Sequence, residues 1–216
     1  MMAFTLAQSV DDIVVRAIAA RGGAKRIKSI NTQRLTGRIS LNSGEHGAVI
    51  VEMKRLGMMR ESVTLDDKSM IRTTDGSVGW VVGSLRNLLQ PQQVNAEELR
   101  NLAQSADFEG PLIDYRQKGN RIELAGKEKV GKRLAFKLVI SMKTGENRIE
   151  FIDSKSHLEV KWQGLSGGNM FESYFRDYRE VKGVMYAFEI DSGTQKIVLD
   201  KVEVNPKLDS ARFDKP

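Results

Sequence analysis

With 216 residues, 40% of them apolar and 29% charged, the chain is long enough to bury a sizeable core and has an ordinary globular composition. It has no cysteine, which excludes disulfides, zinc–thiolate sites and cysteine nucleophiles. The net charge of +6 is dispersed, so no basic arm for nucleic acid is present, and no apolar run reaches the roughly 18 residues of a membrane span.

Residues 1–8 read as a disordered start or the remnant of a removed signal peptide. Val10, Ile13, Val14, Ala17 and Ile18 then recur at helical spacing behind Asp11 and Asp12, which predicts an amphipathic helix ending near Gly22-Gly23. A short helical turn is expected over 24–30. From Gln33 the period changes to two. Leu35, Gly37, Ile39 and Leu41 alternate with polar residues, followed by strands at 48–54, 58–65, 69–73 and 78–82, with Asp75-Gly76 as a hairpin signal.

A helix over Asn95–Asp107 interrupts the strands. Asn95 is its expected cap, with Glu98 reaching back three residues later in a capping box. Leu99, Leu102, Ala103 and Ala106 form its apolar side, and Gly110-Pro111 ends it. Strands resume at 121–125, 133–142, 148–152, 157–162, 170–181, 184–191 and 196–204. The alternation of Leu134, Phe136, Leu138, Ile140 and Met142 is the most regular and predicts one buried face. Leu158, Val160 and Trp162 are expected to share a face, opposite His157, Glu159 and Lys161.

The pattern defines a mainly β chain with some α (α+β). We expect a strongly curved antiparallel sheet, a half-open barrel of about eleven strands, closed by the N-terminal and the inserted helix in a single domain spanning 1–216. Two helices cannot cover so many amphipathic strands, and the chain holds only 6% aromatic residues but 9 Met. Methionine adapts to variable apolar ligands, so an apolar cavity is expected, with the Asn95–Asp107 helix as part of its lid.

Two motifs that look catalytic fail on context. Gly126–Lys132 has phosphate-loop spacing, but Arg133 stands where Ser or Thr would hold magnesium, and a strand follows rather than a helix. Gly164-Leu165-Ser166-Gly167-Gly168 has nucleophile-elbow spacing, but again leads into a strand, and His46 and His157 both precede Ser166. Two isolated histidines make no metal pair. No catalytic set, metal site or cofactor is expected, and the chain reads as a non-enzyme.

Three groups of residues carry a resemblance. Lys54-Arg55-Leu56-Gly57 in the segment Val51–Arg60 closes one strand, Asp75-Gly76 with Trp80 forms a hairpin, and Gly126–Val130 leads to the Leu134–Met142 strand, Ile152-Asp153 and His157-Leu158-Glu159-Val160. The ending is similar too, in Asp177-Tyr178-Arg179-Glu180-Val181 with Gly183, Val202-Glu203-Val204-Asn205-Pro206 and Phe213-Asp214-Lys215-Pro216. In this order they resemble the LolA/LolB-like outer-membrane lipoprotein-sorting family, particularly its larger members, from about residue 10 onward. That family shows K-R-P-N at the first site, so Leu56 and Gly57 replace Pro and Asn. The resemblance implies a periplasmic carrier with an apolar cavity, its cargo lipoprotein acyl chains or another lipid moved toward the outer membrane.

It further implies an inner-membrane donor complex and an outer-membrane acceptor as partners, an exported location and a monomeric state. The alternative it leaves open is a lipid-binding sensor or interaction module of the same fold. Arg55 is implied to hold the lid. The expected ligand-binding residues are Arg55, Trp80, Leu134, Phe136, Leu138, Ile140, Met142, Leu99 and Leu102.

Overall fold

The computed structural model describes residues 9–166 and 169–216; residues 1–8 and Gly167-Gly168 of the nucleophile-elbow look-alike lie outside the described residues. The secondary structure is mainly β. Thirteen strands follow in sequence: β1 (Thr32–Leu41), β2 (His46–Lys54), β3 (Met58–Leu65), β4 (Lys68–Thr74), β5 (Gly79–Gly83), β6 (Leu88–Gln93), β7 (Arg121–Val130), β8 (Arg133–Ser141), β9 (Asn147–Asp153), β10 (Glu159–Ser166), β11 (Asn169–Val181), β12 (Val184–Asp191) and β13 (Gln195–Val204). Their hydrogen-bonded order is β6-β5-β4-β3-β2-β1-β13-β12-β11-β10-β9-β8-β7. Every neighbour except β1–β13 is also a sequence neighbour, as expected where short hairpins set register locally.

Two strand readings need correction. Among the described residues there are thirteen strands where about eleven were expected; the one that no alternation marked is β6, a strand despite Pro91, at one end of the order. Proline lacks the ladder N–H and is tolerated at such an edge. In addition, β7 continues through a bulge between Leu124 and Lys127 at Gly126, so the phosphate-loop look-alike is strand and turn, with Lys129 opposite Leu134.

The chain forms two compact units, Met1–Ala24 with Pro111–Tyr174, and Lys25–Gly110 with Phe175–Pro216. Their boundary falls within β11, which contributes residues to both.

In the first unit, α1 (Val10–Arg21) starts in a capping box: the Ser9 hydroxyl accepts from the Asp12 N–H, and the Asp12 carboxylate accepts from the Ser9 N–H. Gly22, at φ 125°, ends it, a conformation that favours glycine. Ile13, Val14 and Ala17 pack on Phe136, Leu138 and Ile152, with Tyr115 and Ile122 around them. The Tyr115 hydroxyl and the Arg116 guanidinium both donate to Asp11, tying down the first turn.

In the second unit, α2 (Ala24–Lys28) precedes β1, and α3 (Ala96–Ser105) lies against β3, β4 and β5. Ile39, Val49, Val63 and Leu65 form its main cluster, joined by Val51, Met70, Leu85 and Ile197. Asn95 caps α3 by accepting from the Glu98 N–H. The Glu98 carboxylate does not reach back, which corrects the expected capping box; it is turned to Arg86 and Arg72 instead. Ala103, expected on the apolar side, is exposed, while Leu102 and Ala106 are buried.

Candidate functional site

In the second unit the pairing register places Met53 opposite Met59, Val51 opposite Glu61, and Val49 opposite Val63. Glu61 in turn pairs with Arg72, and Val63 with Met70. Because opposed residues share a face, one side of β2–β4 carries an apolar row with three methionines, interrupted by the Glu61–Arg72 pair. The same face continues to Gly79 in β5, where α3 lies so close that a Cβ would stand 2.5 Å from Val94 and 3.3 Å from both Leu99 and Leu102. Glycine there lets the helix settle on the strand. Leu99 and Leu102, two of the expected binding residues, therefore sit on the apolar face itself.

Four charges hold α3 at this place. The Arg72 Nε donates to Glu61 Oε2 at 2.7 Å, and Glu98 Oε1 lies 3.0 Å from Arg86 and 3.7 Å from Arg72. Glu61, Arg72 and Glu98 are mostly shielded from water, so these are stronger contacts than exposed ion pairs.

Arg55 holds the next part of the same segment. Its Nη2 donates to the carbonyls of Ile27 and Lys28, at 3.1 and 2.8 Å, and its Nη1 donates to Glu109 at 2.9 Å. The guanidinium also lies over the Phe108 ring, 5.4 Å from its centroid. It thus caps the last carbonyls of α2, where a cation is favoured, and ties them to the residues that follow α3.

The turn beyond Arg55 accounts for the missing proline. Leu56 and Gly57 have φ of 74° and 78°, and proline is locked near −65°. This turn meets the Asp75-Gly76 turn, for a Cβ on Gly76 would lie 2.3 Å from the Leu56 carbonyl oxygen. The Asp75 carboxylate accepts from the N–H groups of Ser77 and Val78, which depresses its pKa. Two of the three motif groups are thus neighbouring turns.

Trp80 alternates with Gly79 and so stands on the opposite face from α3. The last residues of the chain lie there. Lys215 sits over the Trp80 ring at 4.8 Å, the Thr73 hydroxyl donates to the Asp214 carbonyl, and Phe213 is fully buried. Glu52, 1% exposed, accepts from Arg34 and Arg212, both at 2.8 Å, which holds its carboxyl below the usual range despite burial. Asn205 accepts from Asn31 and Thr32 at the entry to β1.

In the first unit, Phe136, Leu138 and Ile140 are buried on one face and Met142 is half-buried. Leu134 is a correction: at 45% exposed it lies next to the β7–β8 turn, where the face has run out of neighbours. Val160 and Trp162 are a second correction. A bulge between Glu159 and Lys161 puts Val160 in a cluster with Ala135 and Phe151, while Trp162 pairs with Glu150 on the other side.

Glu150 shares the face of Leu138 and Trp162 and is 2% exposed. Arg148 lies 3.0 Å from it and 3.1 Å from Glu159, stacking on Trp162 at 4.2 Å. One guanidinium serves two carboxylates. Burial first, and Glu159 second, push the Glu150 carboxyl up to about 8.

Sequence reasoning missed Glu52, Glu61, Arg72 and Glu150. For Glu61 the available signal was a charge whose period-two neighbours, Met59 and Val63, are both apolar; Glu52, Arg72 and Glu150 have one such neighbour each, Ile50, Met70 and Ile152.

No family model matches the sequence, and no curated protein matches it. Solved structures do. A DUF1329 family protein from Desulfovibrio piger aligns over 96% of this chain and 98% of its own, with a TM-score of 0.62 at 10% identity. A LolA superfamily protein from Nitrosomonas europaea aligns over 97% and 99%, with 0.58 at 12% identity. An outer membrane lipoprotein-sorting protein domain, as it is described, from Vibrio parahaemolyticus aligns over 94% and 95%, with 0.57 at 12% identity. The chain has the fold of the LolA superfamily and of the DUF1329 family.

Proposed function

We propose that this protein is a non-catalytic periplasmic carrier that takes the acyl chains of a lipoprotein or another lipid onto the apolar face beneath α3 and moves them toward the outer membrane. The observation that carries this reading is the clamp at Arg55. The segment from α3 to Glu109 covers a methionine-bearing face, and it is fastened by polar contacts that can break and re-form in water. A cover built this way exposes apolar surface when it opens. Each buried methylene of a ligand is worth about 0.8 kcal/mol, so an acyl chain readily offsets that cost. The resemblance to lipoprotein-sorting folds supports the same cargo class, with a donor at the inner membrane and an acceptor at the outer. Leu99 and Leu102 would line the chain, and Arg55 would govern access. The protein would act as one domain and as a monomer.

The test is titration with an uncharged monoacylglycerol whose tail carries an environment-sensitive fluorophore. Saturable binding is expected, and Val63→Trp, which fills the apolar row, should abolish or strongly weaken it. Absence of saturable binding by the wild type would overturn the carrier reading.

A further inference from the structure

The face beneath α3 is apolar except for Thr74 and one group of charges. Glu61 and Arg72 project from it between Met59, Val63 and Met70, and they are joined by Glu98 from α3 and Arg86 from the 3-10 turn Ser84–Arg86 between β5 and β6. Partly buried ion pairs on an apolar face are costly next to apolar side chains of similar size. Packing α3 would not require them. Leu102, Val94 and Gly79 already supply an apolar seat.

The charge arithmetic is specific. Closed, the group contains two guanidiniums and two carboxylates. One carboxylate, Glu98, belongs to the covering helix and not to the sheet. If that helix lifts, Arg72 and Arg86 keep only Glu61 and present a net positive charge within the apolar row. Two guanidiniums converging on one point suit a phosphate, whose oxygens accept bidentate hydrogen bonds.

We propose that Arg72 and Arg86 form the seat of an anionic phosphate headgroup, and that the Glu98 carboxylate occupies that seat when no lipid is bound. The inference rests on the acyl-binding reading above and adds the class of headgroup. The lipid's tails take the apolar row, and its phosphate takes the position of Glu98. The helix side chain is then a built-in competitor: it closes the empty site, and it helps to expel cargo by returning.

The experiment uses the full chain and two lipids with identical tails, dioctanoylglycerol and dioctanoyl phosphatidate, below their aggregation limits, with inorganic phosphate as a third probe. Affinity is measured by displacement of the fluorescent monoacylglycerol and, for inorganic phosphate, by calorimetry. Phosphatidate should bind about tenfold more tightly than the uncharged diacylglycerol, the gain typical of charge-assisted contacts. Glu98→Gln, which removes the competing charge at constant shape, should widen that ratio. Arg86→Gln and Arg72→Lys should narrow it, the phosphatidate-to-diacylglycerol ratio being the readout because a common change in acyl binding cancels in it. Arg38→Gln, on the opposite face beside Asp200, controls for loss of a positive charge elsewhere.

Equal binding of both lipids, or a ratio indifferent to Glu98→Gln, overturns the headgroup seat and leaves the acyl-binding reading standing. Inorganic phosphate binding as tightly as phosphatidate assigns the seat to a free anion and also overturns it. Binding of neither lipid overturns both readings.

Discussion

Single residues carry two consequences. Glu150 has a native pKa raised to about 8, above its unfolded value of 4.5. Between those values the native protein holds a proton that the unfolded chain releases, so stability falls as pH rises through this window, by at most about 1.4 kcal/mol per pH unit. Glu150→Gln keeps the shape without the charge. It should match the wild type near pH 4 and exceed it by about 1–3 kcal/mol near pH 8, as measured by denaturant unfolding across pH. A stability profile with the same slope in both proteins would show that Glu150 ionises freely. Arg55 makes the second case. Arg55→Lys keeps a charge but loses the fork that spans two carbonyls and Glu109, so amide exchange over 96–109 should quicken while the core of β8 and β9 is unaffected.

At the scale of elements, the β2–β3 and β4–β5 turns act on each other. Gly76→Ala meets both a φ of 97° and the Leu56 carbonyl 2.3 Å away, so it should cost more than the roughly 1 kcal/mol of an open-space glycine substitution. Gly145→Ala, also at positive φ but with open space around it, isolates the conformational part. If the two variants lose equal stability by thermal denaturation, the turn-on-turn contact contributes nothing. The helices differ in how they are held. α1 lies on an unbroken apolar cluster, whereas α3 combines a smaller apolar contact with the ion pairs of Glu98. Glu98→Gln should therefore increase exchange in α3 and leave α1 unchanged.

At the scale of the whole molecule, the question is whether the two units unfold together. Leu138 is fully buried in the first and Phe213 in the second. Leu138→Ala should cost about 2–5 kcal/mol and Phe213→Ala about 3–5 kcal/mol. Because β11 gives residues to both units, each substitution should lower the midpoint of one common transition. Two transitions, each moved by only one substitution, would replace the single-domain proposal with two independent ones.

Much of the architecture was legible in the residues. Period-two alternation placed most of the strands, and α1 was bounded by its apolar spacing and by Gly22-Gly23, because these signals act between residues a few positions apart. The face of Phe136, Leu138 and Ile140 was legible for the same reason. Tertiary structure decided the rest. A bulge at Glu159–Lys161 sent Trp162 to the face opposite Val160, and the edge position of β6 made Pro91 acceptable in a strand. Glu98 left the cap of its own helix for Arg86 and Arg72. Arg55 found the α2 carbonyls and Glu109, and the last residues of the chain found Trp80. In each case the alternatives are close in energy within the local segment, and the choice is made by partners that are distant in sequence and become neighbours only when the strands pair.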